Sequence, residues 1–446
     1  MALMELLVAF SLCPALACDR RRGMAFVRAT PIFAIVLLVA TANASGAEAQ
    51  NVASLTEAEA VRLALARNPS IDGARAARVA ARGLAEEAEF LVPDNPNVGF
   101  AYRSDGAETN QGTQELEAEI SVPVWINGQR SARRAVAQAI GQQAEAEIEA
   151  AQWELAGRVR TVYWRTWQAR ALLATANERF ALSDGLATSA VKLARSGQVR
   201  VNDVRDLQAE ALADRQSQAE RTGELQVAIA ELGEAIGIDG IEPDQLEPPR
   251  PEEPAPPVEV DPQRRPDLRL LRRKAEAARA DVDLQRRDAV PNPEPSVGFR
   301  RERGQRNEPW QNTVRLGVSI PIPVINRNQR AIAAALAERG RAESDLATAF
   351  LHARRELGAA AADWRAAWMQ WQEADKAKRT LEENLRVMEQ AFALGEIGAL
   401  DLVLEKRRWE QAAEAERRAL GQLALARAAW ETAQGDIGLK PYLNGQ

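Results

Sequence analysis

Val98, Phe100 and Tyr102 alternate with Gly99, Ala101 and Arg103, and Leu116, Ala118, Ile120, Val122 and Val124 alternate with Glu115, Glu117, Glu119 and Ser121. A period of two places successive side chains on opposite faces of a strand, so each stretch predicts one apolar face and one polar, largely charged face. The alternation returns at Val314, Leu316, Val318, Ile320 and Ile322, set against Thr313, Arg315, Gly317 and Ser319. With "EPSVGF" at Glu294 to Phe299, which mirrors "NPNVGF" at Asn95 to Phe100, this makes four amphipathic strands. The better ones run for about ten residues, the length that crosses a bilayer core when tilted.

Outside the strands the period lengthens. Leu55 to Leu91 carries helical periodicity with a start signal at Ser54 and Thr56, broken at Asn68-Pro69. From Asn127 to Ser196 there is no proline, and the same holds from Asn328 to Leu394. Each stretch predicts a helix of about 70 residues or slightly fewer, reaching roughly 100 Å at about 1.5 Å per residue. Helices of this length need other long helices to pack along. After a glycine at each far end, Gly197 and Gly395, the chain returns as a further helix over Asn202 to Ile236 and over Ala399 to Gln434.

The two sets of elements are written twice. "ISVPVWINGQR" at Ile120 to Arg130 matches "VSIPIPVINRNQR" at Val318 to Arg330, and Gly197 and Asp203 match Gly395 and Asp401, at offsets of about 197 to 200 residues. Three different motifs at one offset mark a duplicated unit. The expected organisation is a leader and signal peptide over 1–44, a first repeat over 45–238 and a proline-rich connector over 239–262. A second repeat over 263–438 and a tail over 439–446 complete it.

Met24 to Ala49 reads as a secretory signal, with Arg28 ahead of an apolar stretch from Pro31 to Ala40. Ala42-Asn43-Ala44 offers cleavage after Ala44, Ala47-Glu48-Ala49 competes with it, Met24 competes as the start, and Cys18 offers a poor lipidation site. Cys13 and Cys18 are the only cysteines of the 446 residues, so the exported chain has no thiol for catalysis, metal binding or disulfides. The net charge of -6 has no basic stripe, which argues against nucleic acid. No later run of 18 or more apolar residues occurs, so a membrane crossing would have to use strands.

Four strands cannot close a transmembrane barrel, because such barrels begin at eight and an open edge in lipid leaves backbone groups unsatisfied. Several copies must share one barrel; three would supply about twelve strands, with Glu115, Glu117, Glu119 and Arg315 facing a wet lumen. Pro123, Pro321 and Pro323 then end the ladders where barrel gives way to helix. The competing readings are a soluble sandwich with its strands half buried and a soluble periplasmic coiled-coil scaffold.

These features resemble the TolC family of outer-membrane efflux proteins over Leu55 to Gly438. The resemblance is carried by the duplicated strand and helix units, by "SGQVRVNDVRDLQAE" at Ser196 to Glu210 and by "LGEIGALDLVLEKRRWEQA" at Leu394 to Ala412. Arg265-Pro266-Asp267-Leu268 and Pro323 to Arg330 are similar to the branch containing the CzcC component of cobalt, zinc and cadmium efflux. What the resemblance implies is a mainly α fold with a membrane β-barrel portion: a homotrimer with a twelve-stranded β-barrel in outer-membrane lipid and an α-helical barrel across the periplasm. The partners implied are a periplasmic membrane-fusion adaptor and an inner-membrane RND-type pump. The duct is no enzyme and takes no cofactor; drug export and type I secretion are alternatives on the same architecture.

The adaptor-contact candidates are the tip residues Gly197, Gln198, Val199, Gly395, Glu396 and Ile397. Gate candidates are Asp203, Asp206, Asp401 and Glu405; repeated around a threefold axis, such acids would repel one another and attract cations. The second repeat departs from the family's double acidic signature, having Leu404 and then Glu405. These acids also suit the positive ends of helices, so capping is an equal account of them. Tyr102, Trp125 and Trp310 stand near strand ends, where aromatic rings favour the membrane interface. Trp153, Trp164, Trp167, Trp364, Trp368 and Trp371 recur at helical spacing and read as packing between helices. His352 is the only histidine, and no phosphate loop, nucleophile elbow or histidine-bearing triad occurs.

Overall fold

The structure, a computed structural model, describes residues 54–437 apart from 109, 127, 197–199, 239, 255–260, 323–327, 395 and 398. The leader, Gly197, Gln198, Val199, Gly395 and Pro323 lie outside the described residues.

The order helix, two strands, long helix, return helix runs through the chain twice. In the first pass, α1 (Glu57–Arg67) and α2 (Ser70–Glu87) precede β1 (Asn97–Ser104), β2 (Gln114–Ser121), α3 (Gln129–Arg195) and α4 (Val201–Ile236). In the second, α5 (Pro266–Arg287) precedes β3 (Glu294–Arg303), β4 (Gln311–Ser319), α6 (Gln329–Ala393) and α7 (Ala399–Ala433). The start signal at Thr56 works as a cap: its Oγ accepts the Glu59 N–H at 3.1 Å. Asn68 and Pro69 separate α1 from α2, since the residue before proline is driven out of the helical region. At 67 residues α3 extends roughly 100 Å. The return helix α4 ends on Gly237 at φ +76°, a left-handed conformation that closes the helix at little cost to glycine.

All four strands form one antiparallel sheet in the order β1-β2-β3-β4. The two hairpins, one from each half, join through β2 and β3, leaving β1 and β4 as edges. The ladders stop short of the expected ten residues in β2 and β4, at Ser121 and Ser319. Proline lacks the N–H that a ladder needs, so pairing loosens on the approach to Pro123 and Pro321. Two bonds persist past the end of β2, from Val122 N–H to the Pro295 carbonyl and from Val124 N–H to the Pro293 carbonyl, both 3.0 Å.

The main core lies where α1, α3 and α4 meet the chain leaving α4. Leu55, Val61, Ile71, Val159, Tyr163, Leu232, Ile236 and Leu246 are buried together there. Tyr163 is fully buried; its hydroxyl donates to the Leu55 carbonyl at 2.7 Å and accepts from the Glu247 N–H at 3.0 Å. Burial pushes that phenol well above its ordinary range. A smaller core joins α6 to α7 through Trp364, Ala367 and Leu423, with Trp430 set 4.7 Å from Trp364. Trp153, Trp164 and Trp371 also bond across helices, to Thr432, Glu57 and Glu416.

Candidate functional site: the amphipathic sheet and the hairpin tips

The sheet keeps the alternation of its strands in strict register. One face carries the rows Val98, Ile120, Val297, Leu316 and Phe100, Ala118, Phe299, Val314. Nothing among the described residues covers it: Phe100 and Leu316 are each 79% exposed. A half-buried sandwich strand would hide this face, so the sandwich expectation fails. The opposite face carries charge in compensated sets. Arg300 reaches Glu115 at 3.0 Å and Glu117 at 3.6 Å, Arg315 reaches Glu117 at 3.6 Å and Arg103 reaches Glu115 at 3.2 Å. A bare apolar face, a charged opposite face and two edges left unpaired among the described residues are what a barrel shared between copies would require of each chain.

The aromatic candidates sit at both ends of this sheet. Tyr102 is exposed on the apolar face near the hairpin loops, and Trp310 stands one residue before β4 at the same end. Trp125 lies at the helical end, where its Nε1–H donates to the Phe90 carbonyl at 3.2 Å and the Arg133 guanidinium lies 5.0 Å from its ring. Pro123 and Pro321 lie between the ladders and the long helices.

Toward the far end of the helices the two hairpins touch at residues similarly distant from each tip. Arg407 pairs with Glu210, and Arg417 reaches Glu178 at 3.3 Å. Asp203 occupies the first turn of α4 and pairs with Arg200 at 3.4 Å; Asp206 is exposed one turn on. Asp401 is exposed in the first turn of α7. Glu405 is placed differently from these acids. It is buried, accepting from Asn384 at 2.8 Å and pairing with Arg408 at 3.2 Å, so within one chain it holds α7 to α6. Glu396 is exposed at the second tip, with Ile397 beside it half-buried.

The sequence reading missed the polar seam between the two hairpins. Asp214 is buried on α4 and bound by Arg179 of α3 at 2.8 Å, while Glu410 and Glu414 of α7 line the same small cleft. Its signal was available: Asp214 falls three residues after the buried Ala211, an acid on an otherwise apolar stripe. Burial raises the Glu410 carboxyl, Lys406 and Arg179 oppose that, and Asp214 adds to it. A raised carboxyl means the folded chain holds its proton more tightly than the unfolded chain does. That contribution to stability is complete below the ordinary value of 4.5 and is lost as the pH rises through the folded value. Glu410→Gln, which mimics the protonated acid, is therefore expected to melt above wild type at pH 7 and to converge with it in acid. Thermal melts followed by helical circular dichroism across that range would show it; a variant that melts below wild type at pH 7 contradicts it.

Arg265, in the stretch similar to the CzcC branch, is also buried. Its guanidinium binds Asp267 at 2.7 Å and Glu356 of α6 at 2.8 Å, and lies 4.9 Å from the ring of Trp153 on α3. The segment after α7 closes over it: a Cβ on Gly435, at φ +84°, would stand 3.0 Å from the Arg265 Cα. The motif thus clamps α5 to both long helices. Among the described residues, no group of three or more His, Cys, Asp or Glu could hold a metal ion, and no helix is long and apolar enough to cross a membrane. The exposed His352 stands on α6.

Comparison with known proteins converges on this architecture. The protein CyaE of Bordetella pertussis is 27% identical over 328 residues, covering 69% of each chain. The CmeC outer membrane channel of Campylobacter jejuni superposes with a TM-score of 0.67 at 14% identity, covering 85% of both chains. The outer membrane protein VceC of Vibrio cholerae gives 0.66 at 17% identity, over 85% of this chain and 96% of that one. Residues 262–436, essentially the second pass of elements, match the family described as outer membrane efflux protein, and 85% of the chain shares the fold of these outer-membrane proteins.

Proposed function

We propose that three copies of this chain close a barrel in the outer membrane and continue as a helical tube, forming the exit duct of a tripartite efflux pump. One observation carries this reading: a sheet with two free edges whose bare apolar face is backed by a charged one. In water that face would be a liability, whereas in lipid it is the only tolerable exterior, provided that other copies satisfy the edges. The hairpin tips then meet a periplasmic membrane-fusion adaptor, which couples the duct to an inner-membrane RND-type pump. The pump supplies the energy; the duct supplies a path and catalyses nothing.

We assign divalent heavy-metal cations as the cargo, on the similarity of Arg265 to Leu268 to the CzcC branch and on the half-buried Asp203 and the exposed Asp206 and Asp401 near the tips. Export of organic compounds is the second reading. The clamp formed by Arg265 favours it, because that role accounts for the motif without reference to cargo. Deleting the gene and complementing with wild type separates the two. Sensitivity to zinc, cobalt and cadmium alone is expected; sensitivity to antibiotics alone would retain the duct and replace the cargo. Protein recovered from the soluble periplasm, with no heat-modifiable oligomer, would overturn the duct itself.

A further inference from the structure

We propose that the rim of the sheet's apolar face, around Arg301, Arg303 and Trp310, binds the phosphorylated headgroup of an outer-leaflet lipid. The inference rests on the reading of the sheet as a barrel wall, with its hairpin loops on the side away from the helices.

The register shows where the apolar exterior stops. Beyond the row of Phe100, Ala118, Phe299 and Val314 comes the row Tyr102, Leu116, Arg301 and Asn312, and beyond that Ser104, Gln114 and Arg303. Arg301 and Arg303 therefore share the face of Phe299, not the lumenal face of Arg300. Both guanidinium carbons lie 4.9 Å from the ring centroid of Trp310. The two faces treat arginine in opposite ways. On the lumenal face, Arg300 and Arg315 are matched by Glu115 and Glu117. On the outer face, neither Arg301 nor Arg303 forms an ion pair among the described residues, and these two rows contain no carboxylate. The Arg303 side chain donates to Gln114 at 2.9 Å, and its buried Nε has no hydrogen-bond partner.

An arginine facing lipid is costly unless it reaches the headgroups, and tryptophan marks that depth. Two cations held against one ring offer a fork of N–H donors suited to phosphate oxygens. The occupant is a lipid and not free phosphate, because the acyl chains of a seated lipid would run down the adjoining rows of Phe299, Val314, Val297 and Leu316. Three copies would repeat the site around the barrel.

The test uses full-length protein extracted from outer membranes in detergent, titrated with diphosphoryl lipid A or its dephosphorylated counterpart and read by native mass spectrometry. Wild type is expected to retain the phosphorylated lipid about tenfold better, as charge-assisted bonds predict. R301Q/R303Q should fall to the level of the dephosphorylated lipid, while R315Q on the other face keeps wild-type retention. Equal retention of both lipids by wild type would refute the site without needing any variant, and undiminished retention by the assembled double variant would do the same. A heat-modifiable oligomer in the outer-membrane fraction separates the causes: with it, only this inference falls; without it, the barrel reading falls too.

Discussion

Leu316→Arg is expected to leave the outer membrane almost empty of assembled protein while the long helices still form. Leu316 lies in the row with Val98, Ile120 and Val297, at mid-height of the apolar face, and is 79% exposed within one chain. In a water-soluble protein, adding charge at so exposed a position would change little. At the midplane of a bilayer an arginine costs about 2–4 kcal/mol per copy, or about 6–12 kcal/mol over three copies. Thr313→Glu makes the control, since Thr313 sits across from Arg300 on the lumenal face and gains a partner there. The ratio of heat-modifiable oligomer to monomer in outer-membrane fractions reads both. Wild-type levels for Leu316→Arg would mean that this face never meets lipid.

The second large effect is expected from Arg265→Ala. The side chain is 6% exposed and serves Asp267, Glu356 and the Trp153 ring together. Removing it strands two carboxylates and opens a gap beneath Gly435, the pattern that makes loss of one partner of a buried pair severe. Glu356 is half exposed and regains water, which places the cost at about 2–4 kcal/mol and not higher. Arg265→Lys keeps the charge but not the planar fork and should recover part of the loss. A downward shift of the urea midpoint, followed by the helical signal in detergent, measures this. A midpoint unchanged from wild type would remove the clamp from the account of the motif.

Much of the scaffold was legible because it depends on neighbours close in sequence. The proline-free run that predicts a helix from Asn127 to Ser196 ends as α3 over Gln129–Arg195, within two residues at either end. Alternation placed Phe100 and Leu316 on one face and Glu117 and Arg315 on the other, because a period of two leaves no freedom about sides. Less was legible at the tips. Asp203, Asp401 and Glu405 look equivalent as acids after a turn, yet Glu405 is buried between α6 and α7 while Asp401 is exposed. Four residues along a helix decide that difference, and only the packing of the neighbouring helix reveals which side is inward.

By itself, then, the amino-acid order determined the long helices and their lengths, the sidedness of each strand and the repetition of the plan. Each follows from backbone geometry acting over a few residues. The tertiary structure alone decided that β2 pairs with β3, joining hairpins about 180 residues apart in sequence. It alone carried Arg265 to Glu356 and Trp153, and closed Asp214, Arg179 and Glu410 into one seam. Such contacts depend on where two helices of roughly 100 Å bring distant segments together, and no local period encodes that meeting.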